Sequence, residues 1–82
     1  MRAGEVLKEV EGLNHDKLTY FIRSGYIKPK KIKRGSLNYN DFSDNDLEII
    51  KRAWKYIDQD MKTRSAFERA IKEIRNPQLN FL

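Results

Sequence analysis

Two short apolar stripes separated by a tight turn restrict this chain more than any other feature. Val6, Leu7 and Val10 recur at i, i+1 and i+4, which suits one face of a helix over Glu5–Glu11. Gly12 follows, a residue free to take positive φ where a helix stops. Asn14 is placed as the N-cap of a second helix, with Asp16 set well against the positive end of its dipole. Leu18, Phe21 and Ile22 form that helix's buried stripe, and Gly25 marks its end. Two short helices joined through Gly12-Leu13-Asn14 read as a helix-turn-helix.

Pro29 disfavours any continuation of helix. From Lys28 to Arg34 the chain reads KPKKIKR, five basic residues in seven with no acid among them. Gly35-Ser36 then supplies a turn, and Leu37 and Tyr39 alternate with polar residues as in a strand, with Phe42 beyond them. The segment reads as a small β-hairpin with its basic residues toward the tip. Ser43 or Asp44 caps a third helix, in which Leu47, Ile50, Trp54 and Ile57 repeat at helical spacing beside Ile49 and Ala53. Thr63–Arg75 makes a fourth, with Ala66, Phe67, Ala70, Ile71 and Ile74 on its apolar side and Pro77 closing it. Residues 76–82 form a tail. Without a repeat or a linker, residues 1–82 make one mainly α domain of two short helices, a hairpin and two further helices.

The charge is unevenly placed. Lys28, Lys30, Lys31, Lys33 and Arg34 are five of 17 basic residues, and the other 12 are matched by 12 acids, so the net charge of +5 sits in one segment. Such a patch favours a polyanion, either nucleic acid or an anionic surface. No apolar run approaches the ~18 residues of a membrane span. The absence of cysteine excludes disulfides and thiolate metal sites and fits a cytoplasmic protein. His15 is the single histidine, which removes most imidazole-based metal sites.

The runs GEVLKEVEGLNHDKLTYFIRSGYIKP and NYNDFSDNDL, with their separation, resemble the DNA-binding domain of MerR-family transcriptional regulators over roughly residues 3 to 70. The resemblance implies a winged helix-turn-helix with the hairpin as its wing. The family's T-I-R-Y-Y run falls on Lys17, Leu18, Thr19, Tyr20 and Phe21. Tyr20 thereby takes the place of a tyrosine that contacts the phosphate backbone, and Thr19 that of the arginine reaching the major groove. Lys31 stands at the site of a backbone-contacting wing arginine. The wing's G-Y-R becomes Asn38-Tyr39-Asn40, where Asn38 can supply the left-handed conformation of a glycine and Asn40 lacks the arginine's charge. The family's dimerisation helix and effector domain have no counterpart here, as expected of a domain from a longer protein or of a small stand-alone relative.

These readings converge on sequence-specific binding of double-stranded DNA and on transcriptional regulation of the bacterial type, in a cytoplasmic, nucleoid-associated protein. The second helix would enter the major groove, its N-terminal residues against base edges, while the wing holds the phosphate backbone. The expected contacts are Asn14, His15, Lys17, Thr19, Tyr20 and Arg23 on the helix, and Lys30, Lys31, Lys33, Arg34, Tyr39 and Asn40 on the wing. Asp16 would be repelled by phosphate, and its place at the helix start accounts for it. Trp54, Tyr56 and Phe67 read as core and its edge rather than as a ligand-binding set. Asp44, Asp46, Asp58 and Asp60 read as caps, lacking the spacing of a calcium loop. No nucleophile or carboxylate pair serves His15, so neither an enzyme nor a cofactor is expected. One chain offers few contacts to DNA, which points to a homodimer or side-by-side assembly on it. The alternatives are an excisionase-like or architectural DNA-binding protein and a protein-interaction module using the third and fourth helices. A membrane-surface binder ranks last, since the basic residues lie in a hairpin and do not flank an amphipathic helix.

Overall fold

A computed structural model describes residues 1–76 of the 82. Along those residues the chain forms α1 (Ala3–Glu9), α2 (His15–Arg23), β1 (Lys30–Arg34), β2 (Leu37–Asp41), α3 (Asp44–Asp58) and α4 (Thr63–Arg75). The fold is mainly helical, with four helices and one two-stranded antiparallel hairpin. The closing role given to Pro77 and most of the 76–82 tail lie outside the described residues.

Local chemistry sets most of the boundaries. The Asn14 side chain accepts from the Lys17 amide at 2.8 Å, which starts α2 as expected. Ser43 rather than Asp44 caps α3: its Oγ accepts from the Asp46 amide at 3.0 Å, and the Asp46 carboxylate accepts from the Ser43 amide at 2.9 Å. The first helix begins and ends two residues earlier than the apolar spacing implies. Val10 already has extended backbone, φ −116° and ψ 95°, and its side chain is buried in the core. Gly12, at φ +84°, therefore shapes the turn after the helix has ended.

Tertiary packing then fixes that turn. Trp54 of α3 donates its indole N–H to the Glu11 carbonyl at 3.0 Å. A β-carbon on Gly12 would lie 3.4 Å from the same indole nitrogen. Gly12→Val therefore combines a left-handed β-branched residue with a crowded ring. A loss of about 1–3 kcal/mol is expected, read as a lowered midpoint in thermal denaturation.

The core is built from Val6, Val10, Leu13, Leu18, Phe21, Ile27, Phe42, Ile49, Ile50, Ala53, Ala66, Phe67 and Ala70. Ala53, Ala66 and Ala70 are fully covered, and side chains this small let α3 and α4 approach closely. Phe21 and Phe67 meet edge-on at 4.9 Å, Tyr26 stacks on Phe67 at 5.2 Å, and Trp54 tilts against Phe21 at 6.4 Å. Of the three aromatics read as core and edge, Phe67 is buried while Trp54 and Tyr56 are half-buried. The Tyr56 hydroxyl donates to Glu73 at 2.6 Å beneath the Arg69 guanidinium, which joins α3 to α4. That carboxylate, with partial burial, holds the Tyr56 phenol above its ordinary range.

The hairpin is anchored at its base. The Met1 ammonium donates to Asp41 Oδ1 and to the Phe42 carbonyl, each at 2.8 Å, and the Phe42 amide donates to the Met1 carbonyl at 2.7 Å. Their pairing raises the Met1 amine and lowers the Asp41 carboxyl relative to their ordinary values. Arg2 lies over the Tyr39 ring, 4.1 Å from its centroid.

Candidate nucleic-acid interface

Strand alternation divides the basic hairpin into two chemically different faces. The register pairs Lys31 with Asn40 and Lys33 with Asn38, so these four side chains share one face. Lys30, Ile32 and Arg34 pair with Asp41, Tyr39 and Leu37 and occupy the other. Tyr39 and Asp41 are the residues held by Arg2 and Met1, so this second face is the one the N-terminal segment engages. Lys30, Lys31, Lys33 and Arg34 are all exposed, as expected, but they do not form a single patch.

An open groove of about 600 Å³ lies beside the hairpin, lined by Ile22 of α2 and by Lys31, Ile32, Lys33, Asn38, Tyr39 and Asn40. Four of the expected contacts meet there: Lys31, Lys33, Tyr39 and Asn40. Ile22, Ile32 and Asn38, none of them an expected contact, join them. Helical spacing puts Ile22 in the buried stripe, and its partial exposure follows from its place at the stripe's edge. Asn38 is ordinary extended strand rather than left-handed. Asp60 is the one non-glycine residue at positive φ among those described.

On α2 the expected contacts spread over two flanks. His15, Thr19 and Ile22 fall on one i, i+4, i+7 row, so the row that ends at the groove carries His15 and Thr19. His15, Lys17 and Arg23 are exposed and Thr19 is half-buried. Asn14 is exposed, with its side-chain oxygen already engaged in capping. Tyr20, 48% exposed, lies on the opposite flank with its ring edge-on to Tyr26 at 6.2 Å. Partial burial, with Tyr20 alongside, pushes the Tyr26 phenol above its ordinary range. Tyr20 thus stands apart from the hairpin's contacts, which the motif alone did not indicate. Arg2 adds a cation beside the hairpin that no local pattern marks, because its approach to Tyr39 spans the chain from end to end of the first half.

Among the described residues, no three histidine, cysteine, aspartate or glutamate side chains stand together as a metal ion would need. None of the described helices is long and apolar enough to cross a membrane. Comparison with protein-family models, with curated proteins and with solved structures yields no match.

Proposed function

We propose that the protein binds double-stranded DNA as a winged helix-turn-helix of MerR-like layout and serves in transcriptional regulation. The observation that carries this reading is the groove between α2 and the hairpin. There Lys31 and Lys33, with Asn38 and Asn40, stand as exposed or half-exposed polar groups, and the groove reaches Ile22 of α2, the end of the row bearing His15 and Thr19. No acid lines that groove. A polyanion fits the arrangement because two like-charged lysines gain from a neutralising partner, while the amides can bond to phosphate or sugar oxygens.

In this reading the first turn of α2 brings Asn14, His15 and Lys17 to base edges in the major groove, with Arg23 at the far end of the helix. The hairpin follows the flanking phosphates through Lys31 and Lys33, while Lys30 and Arg34, on the other face, reach a different stretch of backbone. Tyr20, on the flank away from the hairpin, meets the opposite phosphate rail. A homodimer or side-by-side pair on DNA would double the contacts.

A salt titration of binding to random duplex DNA tests the proposal. The Lys31→Ala/Lys33→Ala protein is expected to bind more weakly, with a log–log salt slope flatter by about 1.8, or 0.9 for each phosphate contact removed. Lys51→Ala, on α3, serves as the control and is expected to keep the wild-type slope. An unchanged slope in the double variant would remove the hairpin from the interface.

A further inference from the structure

Leu37 is 65% exposed, and among the described residues Tyr20 is the other large hydrophobic side chain with comparable exposure. Tyr20 has the neighbouring Tyr26 ring beside it. Leu37 begins β2 opposite Arg34, as the closing pair of the hairpin. The two turn residues beyond it are Gly35, at φ +59°, and Ser36. Glycine at the first loop position suits a two-residue turn whose twist matches the strands. Neither residue carries a bulky side chain, so the hairpin ends in a narrow apex with a leucine and an arginine just behind it.

Single exposed apolar residues are common and usually signify nothing. Three observations separate this one. It sits at the tip of a projecting element, where no other part of the described protein covers it. Its cross-strand partner is Arg34, so a cation stands beside the apolar group on the same face. The base of the hairpin is held by the Met1–Asp41 pair, by the Met1–Phe42 backbone bonds and by Arg2 on Tyr39, so a force at the tip is resisted.

We infer that Leu37 is a wedge that enters the minor groove of duplex DNA and partly unstacks a base step, with Arg34 beside it against the groove's negative potential. This rests on the DNA-binding reading above. With α2 in the major groove, an element projecting beside it crosses the phosphate rail and next meets the minor groove. That groove is only about 6 Å wide, and an apex made of glycine and serine suits so narrow a space. Apolar side chains pushed between base steps there bend the duplex toward the major groove, and arginine or lysine commonly accompanies them. Leucine suits the task, since it gains from leaving water and makes no hydrogen bond that would favour one base pair.

The test is the bend. A duplex of roughly 30 base pairs, labelled at both ends for energy transfer, is shorter than the ~150 base-pair persistence length and stays nearly straight unless forced. Wild-type protein is expected to shorten the end-to-end distance. Leu37→Thr, which keeps a strand-forming residue but not the apolar wedge, is expected to bind about tenfold more weakly without shortening it. Its salt slope and thermal midpoint should match wild type, because no charge and no buried contact has changed. Leu37→Ile should restore the bend. A Leu37→Thr protein that bends DNA like wild type overturns the inference, as does wild-type binding to duplex with no bend at all. If the wild type fails to bind duplex, the wedge falls together with the DNA-binding reading. If the Lys31/Lys33 slope change is found and the bend is not, the wedge alone falls.

Discussion

Phe21→Ala is expected to leave the protein close to its unfolding midpoint at 37 °C. Phe21 is 1% exposed and lies edge-on to Phe67 at 4.9 Å and tilted to Trp54 at 6.4 Å. It therefore joins α2 to both α3 and α4. Removing a buried phenylalanine ring costs about 3–5 kcal/mol, the lost transfer energy plus the cavity left behind. A domain of this length holds only about 4–12 kcal/mol in total. At about 4–8 °C per kcal/mol, the thermal midpoint should drop by about 12–40 °C. Urea unfolding followed by circular dichroism would show a lower midpoint with the slope retained. A loss below about 1 kcal/mol would mean that the aromatic cluster repacks, and the account of what holds α2 in place would be wrong.

Reversing charge on the groove face should have the largest effect on binding. Lys31→Glu/Lys33→Glu turns two phosphate-attracting groups into two repelling ones, and their cross-strand neighbours Asn40 and Asn38 carry no charge to compensate. Like charges set against each other cost several kcal/mol, so binding to duplex DNA should weaken by about a hundredfold or more near physiological salt. High salt should narrow the gap between variant and wild type, since screening removes repulsion as well as attraction. Both lysines are exposed, so stability should stay within about 0.5 kcal/mol of wild type. A reversed protein that binds duplex as wild type does at low salt would rule out this face as a polyanion site.

Capping and periodicity were legible residue by residue. Asn14 starts α2 through its own side chain, and the Ser43–Asp46 exchange starts α3, because both are contacts across three residues. The stripe Ala66, Phe67 and Ala70 is buried where helical spacing puts it. Errors arose where a distant contact outweighed the local rule. Helix α1 stops at Glu9 because Val10 turns its side chain into the core, although the glycine that suggested the boundary is Gly12. Leu37 alternates with Tyr39 as a packed strand residue should, yet a two-stranded hairpin offers it nothing to pack on.

The candidate site was legible in its composition and not in its arrangement. Five basic residues between Lys28 and Arg34 are plain in the sequence. Their division into Lys31 and Lys33 on one face and Lys30 and Arg34 on the face of Ile32 and Tyr39 needed the register of the hairpin. A one-residue shift in that register would have exchanged the faces. The placement of Arg2 on Tyr39 and of Trp54 against the Glu11–Gly12 turn joins positions 37 and 43 residues apart.

By itself, then, the sequence determined the four helices, the caps of α2 and α3, the hairpin and the amount of charge the hairpin carries, since each depends on side chains within a few residues of one another. The tertiary structure decided which lysines share a face, where Tyr20 stands, what locks the Gly12 turn and why Leu37 is left uncovered. Those outcomes depend on surfaces that meet only when the chain closes on itself, and local spacing carries no information about which surfaces will meet.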